Sequence, residues 1–465
     1  MHLTLAELLT IPECPFVAKG DERTLTQQIA GVVTDSRQVK SGYLFFALRG
    51  AKTDGYHFIP QVFQNGALAV VVDEKWYDPA APSFPHSCFL LVKDTLQALQ
   101  QAAAYYRAKF HLPVIAVTGS VGKTTVKNMI AQVLTEKFTT LSNEQSFNNH
   151  VGVPLTLFGL TEAHEMAVVE MGANHFGEIA HLCQIAAPNY GLLTNIGRTH
   201  LEFLGSIEGV AKAKFELLEY LGDRGTTFIN SDDAILAASK LAVRRVIRYG
   251  FTGSAEVKGT FLGIDEQGFP QFRVRDTDIK LRVLGQHSAQ NALAAVAVGL
   301  EFGLEMDQIR QGLEKYRGAA KRMEVIHRGG VTVLSDVYNC NREAAQAALR
   351  VLAEMKPGRG GRRIAVFGDM LELGEVSTDE HRAVGQMVVS LGCDWLLTFG
   401  SASRFMAEGA LSIRQMPTLH FEDKKELIEK LKEILRAGDL ILIKGSRGML
   451  MEEVTEGLLQ AIKES

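Results

Sequence analysis

The chain has 465 residues, 46% of them hydrophobic and 22% charged, with a formal net charge of -4. It is too long for one ordinary domain, and its charge makes no electrostatic case for nucleic acid or an anionic membrane as partner. No apolar run approaches the roughly 20 residues of a membrane span. Residues 1–10 lack the basic and apolar regions of a signal peptide, and the five cysteines (Cys14, Cys88, Cys183, Cys340, Cys393) stand apart without C-x-x-C. A cytoplasmic setting without disulfides or zinc is expected.

Residues 1–92 read as a small α/β domain. Gly31-Val-Val-Thr-Asp-Ser-Arg37 and Gly42-Tyr-Leu-Phe-Phe-Ala-Leu48 are short strands with a turn between them, followed by a helix end at 62–66 and a strand at 67–72. The second region, 93–318, opens with an amphipathic helix over 96–110. Residues 114–118 form a buried β-branched strand, Gly119 and Gly122 bracket a tight loop, and 123–137 continue as a helix. Further strands at 166–169, 191–196 and 227–230 alternate with helices such as 208–221. That rhythm implies a parallel sheet covered on both faces, with ligands at the carboxyl ends of its strands. Residues 245–284 read as antiparallel excursions, and helices at 286–302 and 307–316 close the region. The stretch 316–324 has no apolar period and reads as a hinge. The third region, 319–465, has strands at 331–337, 363–367, 395–399 and 440–443, with helices starting near Arg342, Asp379, Ser401, Asp423 and Met449. It lacks G-x-G-x-x-G and so makes no case for a dinucleotide. The expected fold is α/β in three domains: a small amino-terminal α/β domain, a central P-loop ATPase domain on a parallel sheet, and a carboxyl-terminal Rossmann-like domain.

The chemistry centres on Thr118-Gly-Ser-Val-Gly-Lys-Thr-Thr125. Strand, glycine loop, Lys-Thr and helix follow in the order of a phosphate-binding P-loop, in a short form with no glycine at Val117. Glycines let backbone N–H groups close around phosphate oxygens, and the helix N-terminus adds partial positive charge. Lys123 can reach terminal phosphates, and the Thr124 hydroxyl can ligate Mg²⁺. Glu170 ends a strand, where a carboxylate beside a P-loop holds Mg²⁺ or orients water. Alone it would be a solvated strand end. His200, after another strand, is an acceptable ligand for a second metal when neutral. The loop 146–156, running from Ser146, offers Asn148 and Asn149 as donors and acceptors. His287 and Asn291, four apart, share a helix face, and asparagine can read adenine. Read from residues alone, Asp35-Ser36-Arg37 is a polar turn.

Together these features resemble the ATP-dependent Mur ligases, which build the peptide stem of the bacterial cell wall. The markers are the P-loop, Glu170, Asn195 with His200-Leu-Glu202, Gly285-x-His287 with Asn291, and Arg322-Met-Glu324. Asp336-Val-Tyr-Asn-Cys-Asn341, Gly368-Asp-Met-Leu-Glu-Leu-Gly374 with His381, and Lys444-Gly-Ser-Arg-Gly-Met449 are similar to the MurF type, which joins D-alanyl-D-alanine to UDP-N-acetylmuramoyl-tripeptide. The resemblance covers essentially the whole chain. It implies that Gly119, Ser120, Val121, Gly122, Lys123, Thr124 and Thr125 cradle ATP. Thr124 and Glu170 would hold one Mg²⁺, and His200 would help with a second. Lys214 matches a lysine that the family often carries as a carbamate, an anionic oxygen ligand where an ammonium would repel Mg²⁺; a plain ammonium touching phosphate is the alternative. Asn291 and Asn341 would contact adenine or ribose, and Arg322 and Asp336 would reach the nucleotide from beyond the hinge. Ser36 would meet the uridine end of the substrate, Asn148 and Asn149 its sugar-peptide portion, and Lys444, Ser446 and Arg447 the dipeptide side. Lys123, Glu170, His200 and Lys214 would carry the catalysis.

The implied reaction passes through an acyl phosphate, with a general base that the sequence does not identify; His381 is one candidate. Val337, Cys340, Arg342 and Ser288 depart from the family's usual serine, alanine, proline and asparagine. Arg342 in particular lacks the preset φ of a proline at a helix start. A sister ligase adding a different amino acid is the nearest alternative. A folate-type ligase is disfavoured by the Asp35-Ser36-Arg37 stretch, and a guanine-nucleotide switch by the lack of Asn-Lys-x-Asp. A monomer is expected.

Overall fold

The computed structural model describes residues 1–12, 14–50, 54–77, 88–144, 147–240 and 242–462; Ser146 lies outside them. The strands form three sheets. The first has the order Val17–Gly20, Cys88–Val92, Ala69–Asp73, Tyr43–Phe46, Gly31–Val33. It is parallel apart from the edge strand Val17–Gly20. Phe45, Val70 and Val72 pack on one face against Tyr56, Ile59 and Val62. The expected turn after Val33 is a single 3₁₀ turn, Ser36–Gln38, capped by Asp35, whose carboxylate accepts the Arg37 N–H.

The second sheet has nine strands, ordered Thr277–Lys280, Pro270–Val274, Val257–Ile264, Arg245–Gly250, Thr226–Asn230, Tyr190–Leu193, Val114–Thr118, Met166–Glu170, Thr140–Ser142. The chain divides into two compact units, Met1–Ala116 with Phe138–Ala173 and Gly177–Gly191, and Val117–Lys137 with Asn174–Phe176 and Leu192–Ser465. In the first unit Thr140–Ser142 runs parallel to Met166–Glu170. Helix Thr95–Ala108 carries the buried Arg107, whose guanidinium donates to the carbonyls of Ala186, Phe110 and Leu112. A buried cation is tolerable when each of its nitrogens finds an acceptor in this way.

In the second unit Thr226–Asn230, Arg245–Gly250 and Val257–Ile264 run parallel. Only the last of these, with Pro270–Val274 and Thr277–Lys280, forms an antiparallel meander. The expectation of an antiparallel excursion from 245 onward is therefore corrected. Arg245–Gly250 alternates polar and apolar residues, and that period of two reports a half-covered strand rather than its direction.

The third sheet also lies in the second unit, ordered Glu324–Arg328, Val331–Asp336, Leu440–Lys444, Arg363–Gly368, Trp395–Phe399, Thr418–Phe421. All but Glu324–Arg328 are parallel. Two short edge strands, Glu324–Arg328 and Thr418–Phe421, were not expected. The last strand of the chain, Leu440–Lys444, inserts between Val331–Asp336 and Arg363–Gly368. The strand order reverses there, and Asp336, Gly368 and Lys444 meet at the carboxyl ends, where open α/β sheets bind ligands. At the opposite ends Asp439, its side chain 0% exposed, accepts from Arg362 Nε (3.1 Å) and Nη2 (2.6 Å), and from the N–H groups of Arg362 and Arg436. This bond ties together the starts of the two central strands. Among the described residues no helix is long and apolar enough to cross a membrane.

Breaking a buried ion pair by removing one partner costs about 3–5 kcal/mol, because the other charge is left uncompensated. Asp439→Ala should lower the stability of the third sheet by that amount in a denaturant titration. A loss below about 1 kcal/mol, the worth of an exposed pair, would contradict the bracing role.

Candidate active site

The phosphate loop begins where strand Val114–Thr118 ends. Gly119 has φ +139, and a Cβ there would lie 2.1 Å from Thr194 Oγ1; Gly122 has φ +86, and its Cβ would meet Asn291 Oδ1 at 2.8 Å. Neither position has room for a side chain, and both conformations favour glycine. Gly122 is also the N-cap of helix Lys123–Leu134, and no side chain caps it. The amides of the first turn therefore keep the oxyanion-binding character of a helix start.

The loop is held from outside. Asn195 accepts the Val121 N–H through Oδ1 and donates to the Val121 carbonyl through Nδ2, both at 2.9 Å. Thr194 Oγ1 donates to the same carbonyl. Ser120 Oγ accepts from the Gly197 N–H (2.8 Å) and contacts the Gly197 carbonyl (3.1 Å). The segment 194–197 is fixed in turn by Asn230, which donates to the Thr194 carbonyl, and by Asp233, which accepts the Ile196 N–H. Asn195 thus braces the loop, and the side chain of Ser120 does the same. Lys123 Nζ lies back on the loop, donating to the carbonyls of Gly119 (2.7 Å) and Ser120 (3.1 Å).

Arg322, from beyond the expected hinge, reaches the loop: its Nη2 donates to Thr124 Oγ1 at 3.0 Å. The guanidinium lies 4.1 Å from the centre of the Tyr338 ring, and Arg447 stacks near the same ring at 5.5 Å. Lys321 and Met323, either side of Arg322, both have positive φ, so the turn that delivers the arginine is constrained. Asp336 does not face the loop. Its Oδ1 accepts the Met323 N–H, and its Oδ2 pairs with Lys444, which is 1% exposed and also donates to the Asn339 carbonyl. Lys444, expected on the dipeptide side, is the partner of Asp336.

In the first unit Glu170 is 1% exposed at the end of its strand. Asn148 Nδ2 donates to its carboxylate at 2.7 Å. Asn143, equally buried, accepts the Glu170 N–H and donates to the carbonyls of Glu170 and Phe147. Asn143 went unrecognised in the sequence, where nothing distinguishes it from a turn asparagine. Asn149 uses Oδ1 to accept the N–H groups of Val151 and Gly152, closing the turn into helix Gly152–Leu157. Ser36 is buried, while Asp35 and Arg37 beside it pair with each other; the Arg37 hydrogen bond holds the Asp35 carboxyl below its usual range.

Back in the second unit, His200 starts helix Leu201–Leu204 with φ +53, and its Nδ1 bonds Glu372. That bond is the main cause holding the Glu372 carboxyl below its usual range. Lys214 is 1% exposed in helix Ile207–Leu221. Asn341 caps helix Arg342–Glu354, accepting the Ala344 N–H, so the missing proline at Arg342 is compensated by a side-chain cap. Arg342 itself pairs with Glu380. The three stretches that point to the MurF type are tied together by Ser446, which donates to the Cys340 carbonyl and accepts the Leu371 N–H.

His381 is fully buried and occupied on both nitrogens. Nε2 accepts the Met370 N–H, and Nδ1 therefore carries the proton and donates to the Ser377 carbonyl at 2.7 Å. It is a brace for the 369–374 loop and has no lone pair for an amine proton. Burial pushes its pKa down, as it does for His287.

A P-loop on a parallel sheet, reached by an arginine from a second α/β sheet, defines a nucleotide-dependent enzyme of three α/β domains. The chain matches the Mur ligase family catalytic domain over residues 28–107, the Mur ligase middle domain over 117–299 and the Mur ligase glutamate ligase domain over 321–447. The chain belongs to the Mur ligase family. Within it the chain falls with the MurF type. It is 35% identical to the UDP-N-acetylmuramoyl-tripeptide–D-alanyl-D-alanine ligase of Bacillus subtilis over 93% of this chain and 94% of that one. It is also 35% identical to the Escherichia coli ligase of the same name, over 97% and 98%. The crystal structure of MurF from Acinetobacter baumannii superimposes with a TM-score of 0.85 at 31% identity, covering 98% of each chain. That of MurF from Thermotoga maritima in complex with ADP superimposes at 0.80 and 26%, covering 93% of this chain and 98% of that one.

A histidine held neutral in the fold resists protonation that the unfolded chain accepts. Its contribution is full above pH 6.5, its ordinary pKa, and is lost as pH falls toward the lower folded value. His381→Gln should therefore be less stable than the parent at pH 8, and the gap should narrow as pH falls through 6.5 to 5.5. Denaturant midpoints across that range check it, and a constant gap would refute it.

Proposed function

We propose that this chain is the ATP-dependent ligase that joins D-alanyl-D-alanine to UDP-N-acetylmuramoyl-tripeptide, the step that completes the pentapeptide precursor of peptidoglycan. The observation that carries the reading is the Arg322–Thr124 contact. It brings the carboxyl-terminal region, with its MurF-type stretches, onto the phosphate loop. Full-length similarity to ligases of that name supports the substrates.

A carboxylate oxygen of the tripeptide attacks the γ-phosphorus of ATP. The new O–P bond forms as the bond to the β-phosphate oxygen breaks, and ADP leaves. Lys123, the loop amides and the start of helix Lys123–Leu134 stabilise the charge on the transferring group. Arg322 adds a second cation that arrives with the carboxyl-terminal region. The free amine of D-alanyl-D-alanine then attacks the acyl carbon, the C–O bond to phosphate breaks, and the amine loses its proton to a base that is not His381. Keeping water from the acyl phosphate is the reason for domain closure, and residues 317–324 are the hinge, between domains bounded near 92 and 318.

The residue types suit Mg²⁺: the Thr124 hydroxyl and the Glu170 carboxylate are each a hard oxygen of the kind Mg²⁺ takes, and His200 would supply a nitrogen toward a second ion. Mg²⁺ would supply neutralisation of phosphate charge. Lys214, buried in helix Ile207–Leu221, is assigned a carbamate, which would offer Mg²⁺ an anionic oxygen where an ammonium would repel it. Asn291 and Asn341 are assigned to the adenosine, Ser36 to the uridine end, and Asn148 and Asn149 to the sugar-peptide portion. The enzyme is taken to act as a cytoplasmic monomer.

Phosphate release from ATP should require both the tripeptide nucleotide and D-alanyl-D-alanine, with a matching mass gain in the product. Lys123→Ala should lower the rate by about 10²–10³-fold. Release with the nucleotide but another amine would point to a sister ligase, and release dependent on neither would end the ligase reading. Incubation with ¹³C-bicarbonate should give a carbamate carbon signal that Lys214→Ala abolishes; the same spectrum from both proteins would leave Lys214 an ammonium.

A further inference from the structure

The contact between His200 and Glu372 joins two segments far apart in sequence, and both residues adopt backbone conformations that side chains other than glycine rarely take. His200 has φ +53 and Glu372 φ +62. Such conformations persist where the surroundings over-determine them. Here they do. The Glu202 N–H donates to the Glu372 carbonyl at 3.2 Å. The two residues before Glu372 are pinned as well, Met370 by His381 and Leu371 by Ser446. Gly374, two residues on, passes so close that a Cβ would lie 3.3 Å from the Glu202 Cα. The Glu372 carboxylate is thus delivered to His200 by a loop fixed on both sides.

An ionised carboxylate can only accept, so the Nδ1 that meets it carries the proton. A neutral His200 then has its lone pair on Nε2, the nitrogen turned away from Glu372. Metal-binding histidines are oriented in this way by carboxylates that never touch the metal. Nearby, the His175 ring lies against Phe203, with ring centres 4.6 Å apart and tilted by 41°, and its charge is a lesser cause lowering the same carboxyl.

We infer that Glu372 is a positioning residue for His200: it fixes the tautomer and ring orientation that make Nε2 available to the second divalent cation. The inference rests on the proposed role of His200. Because Glu372 sits on the third sheet's 369–374 loop and His200 on the central segment, the cation site is complete only while these two are docked. Docking of the carboxyl-terminal region thereby becomes a condition for binding the second ion. Neither segment carries the site alone.

The rival reading is an ion pair that merely latches two segments, since Glu372 is half exposed. The two differ in what glutamine does. Its amide oxygen still accepts the Nδ1 proton but removes the charge. Mn²⁺ binding to the full chain, with a non-hydrolysable ATP analogue present, is measured by electron paramagnetic resonance for the parent, Glu372→Ala, Glu372→Gln and His200→Ala. Glu372→Ala should weaken the second Mn²⁺ by about 10–100-fold, and Glu372→Gln should restore it to within a few-fold. In turnover assays the alanine variant should raise the Mg²⁺ requirement with little change in the KM for the tripeptide nucleotide. Parent-like binding by Glu372→Ala, or equal loss in the alanine and glutamine variants, would overturn the inference. If His200→Ala weakens the ion and Glu372→Ala does not, the positioning role alone fails. If His200→Ala binds like the parent, the metal role of His200 fails and the positioning role goes with it.

Discussion

A phosphate cradle built from backbone amides cannot hold itself in shape. Its N–H groups must stay open to the ligand, so they are not available to a regular hydrogen-bonding ladder, and its glycines contribute no side-chain packing. Here the constraint is met by the strand-end segment that follows Leu193. Thr194 and Asn195 grip Val121, and Ser120 is tied to Gly197. The 2.1 Å gap that a Cβ at Gly119 would leave to Thr194 shows how closely the two segments meet. Lys123, which lies back on the carbonyls of Gly119 and Ser120, rests on that grip.

The third sheet follows the same logic with different chemistry. Its chain-final strand, inserted at the switch point, brings the buried Lys444 to Asp336, whose other oxygen accepts the Met323 N–H beside Arg322. The arginine that reaches the phosphate loop is therefore set by a carboxylate and an ammonium that do not touch it. Ser446 and His381 complete the frame by fixing the 369–374 loop. Several residues that look like ligand contacts in a linear motif are thus supports. His381, Lys444 and Ser446 among them are buried and hydrogen-bonded inside the protein, which is the condition on which such groups are tolerated.

The departures from the family pattern fall in this support layer. Asn341 caps the helix that Arg342 begins, so the φ preset by a proline is replaced by a side-chain hydrogen bond. Cys340, where alanine is usual, is buried in an apolar cluster of the third sheet, where burial pushes its thiol pKa up to about 12. Neither change alters the groups that face the phosphate loop.

The sequence by itself determined the P-loop, the three α/β regions and the family, because each rests on local order: a strand, two glycines and Lys-Thr in succession, and short stretches of fixed spelling. It placed Gly119 to Thr125, Arg322 and Glu170 at strand ends or turns near where the structure has them. What only the tertiary structure decided is which polar residues spend their hydrogen bonds inward. Asn195, Lys444, Asp336 and His381 have the residue types of a site, and partners up to 108 positions away claim their donors and acceptors. Asn143 carries no local signal, since a carboxamide in a turn is ordinary until the chain brings it to Glu170; Glu372 belongs to the marked Gly368–Gly374 stretch, but nothing in that stretch says its carboxylate meets His200. The direction of Arg245–Gly250 was hidden for a related reason. Side-chain alternation records which face of a strand is covered, while its direction is set by the crossover that precedes it.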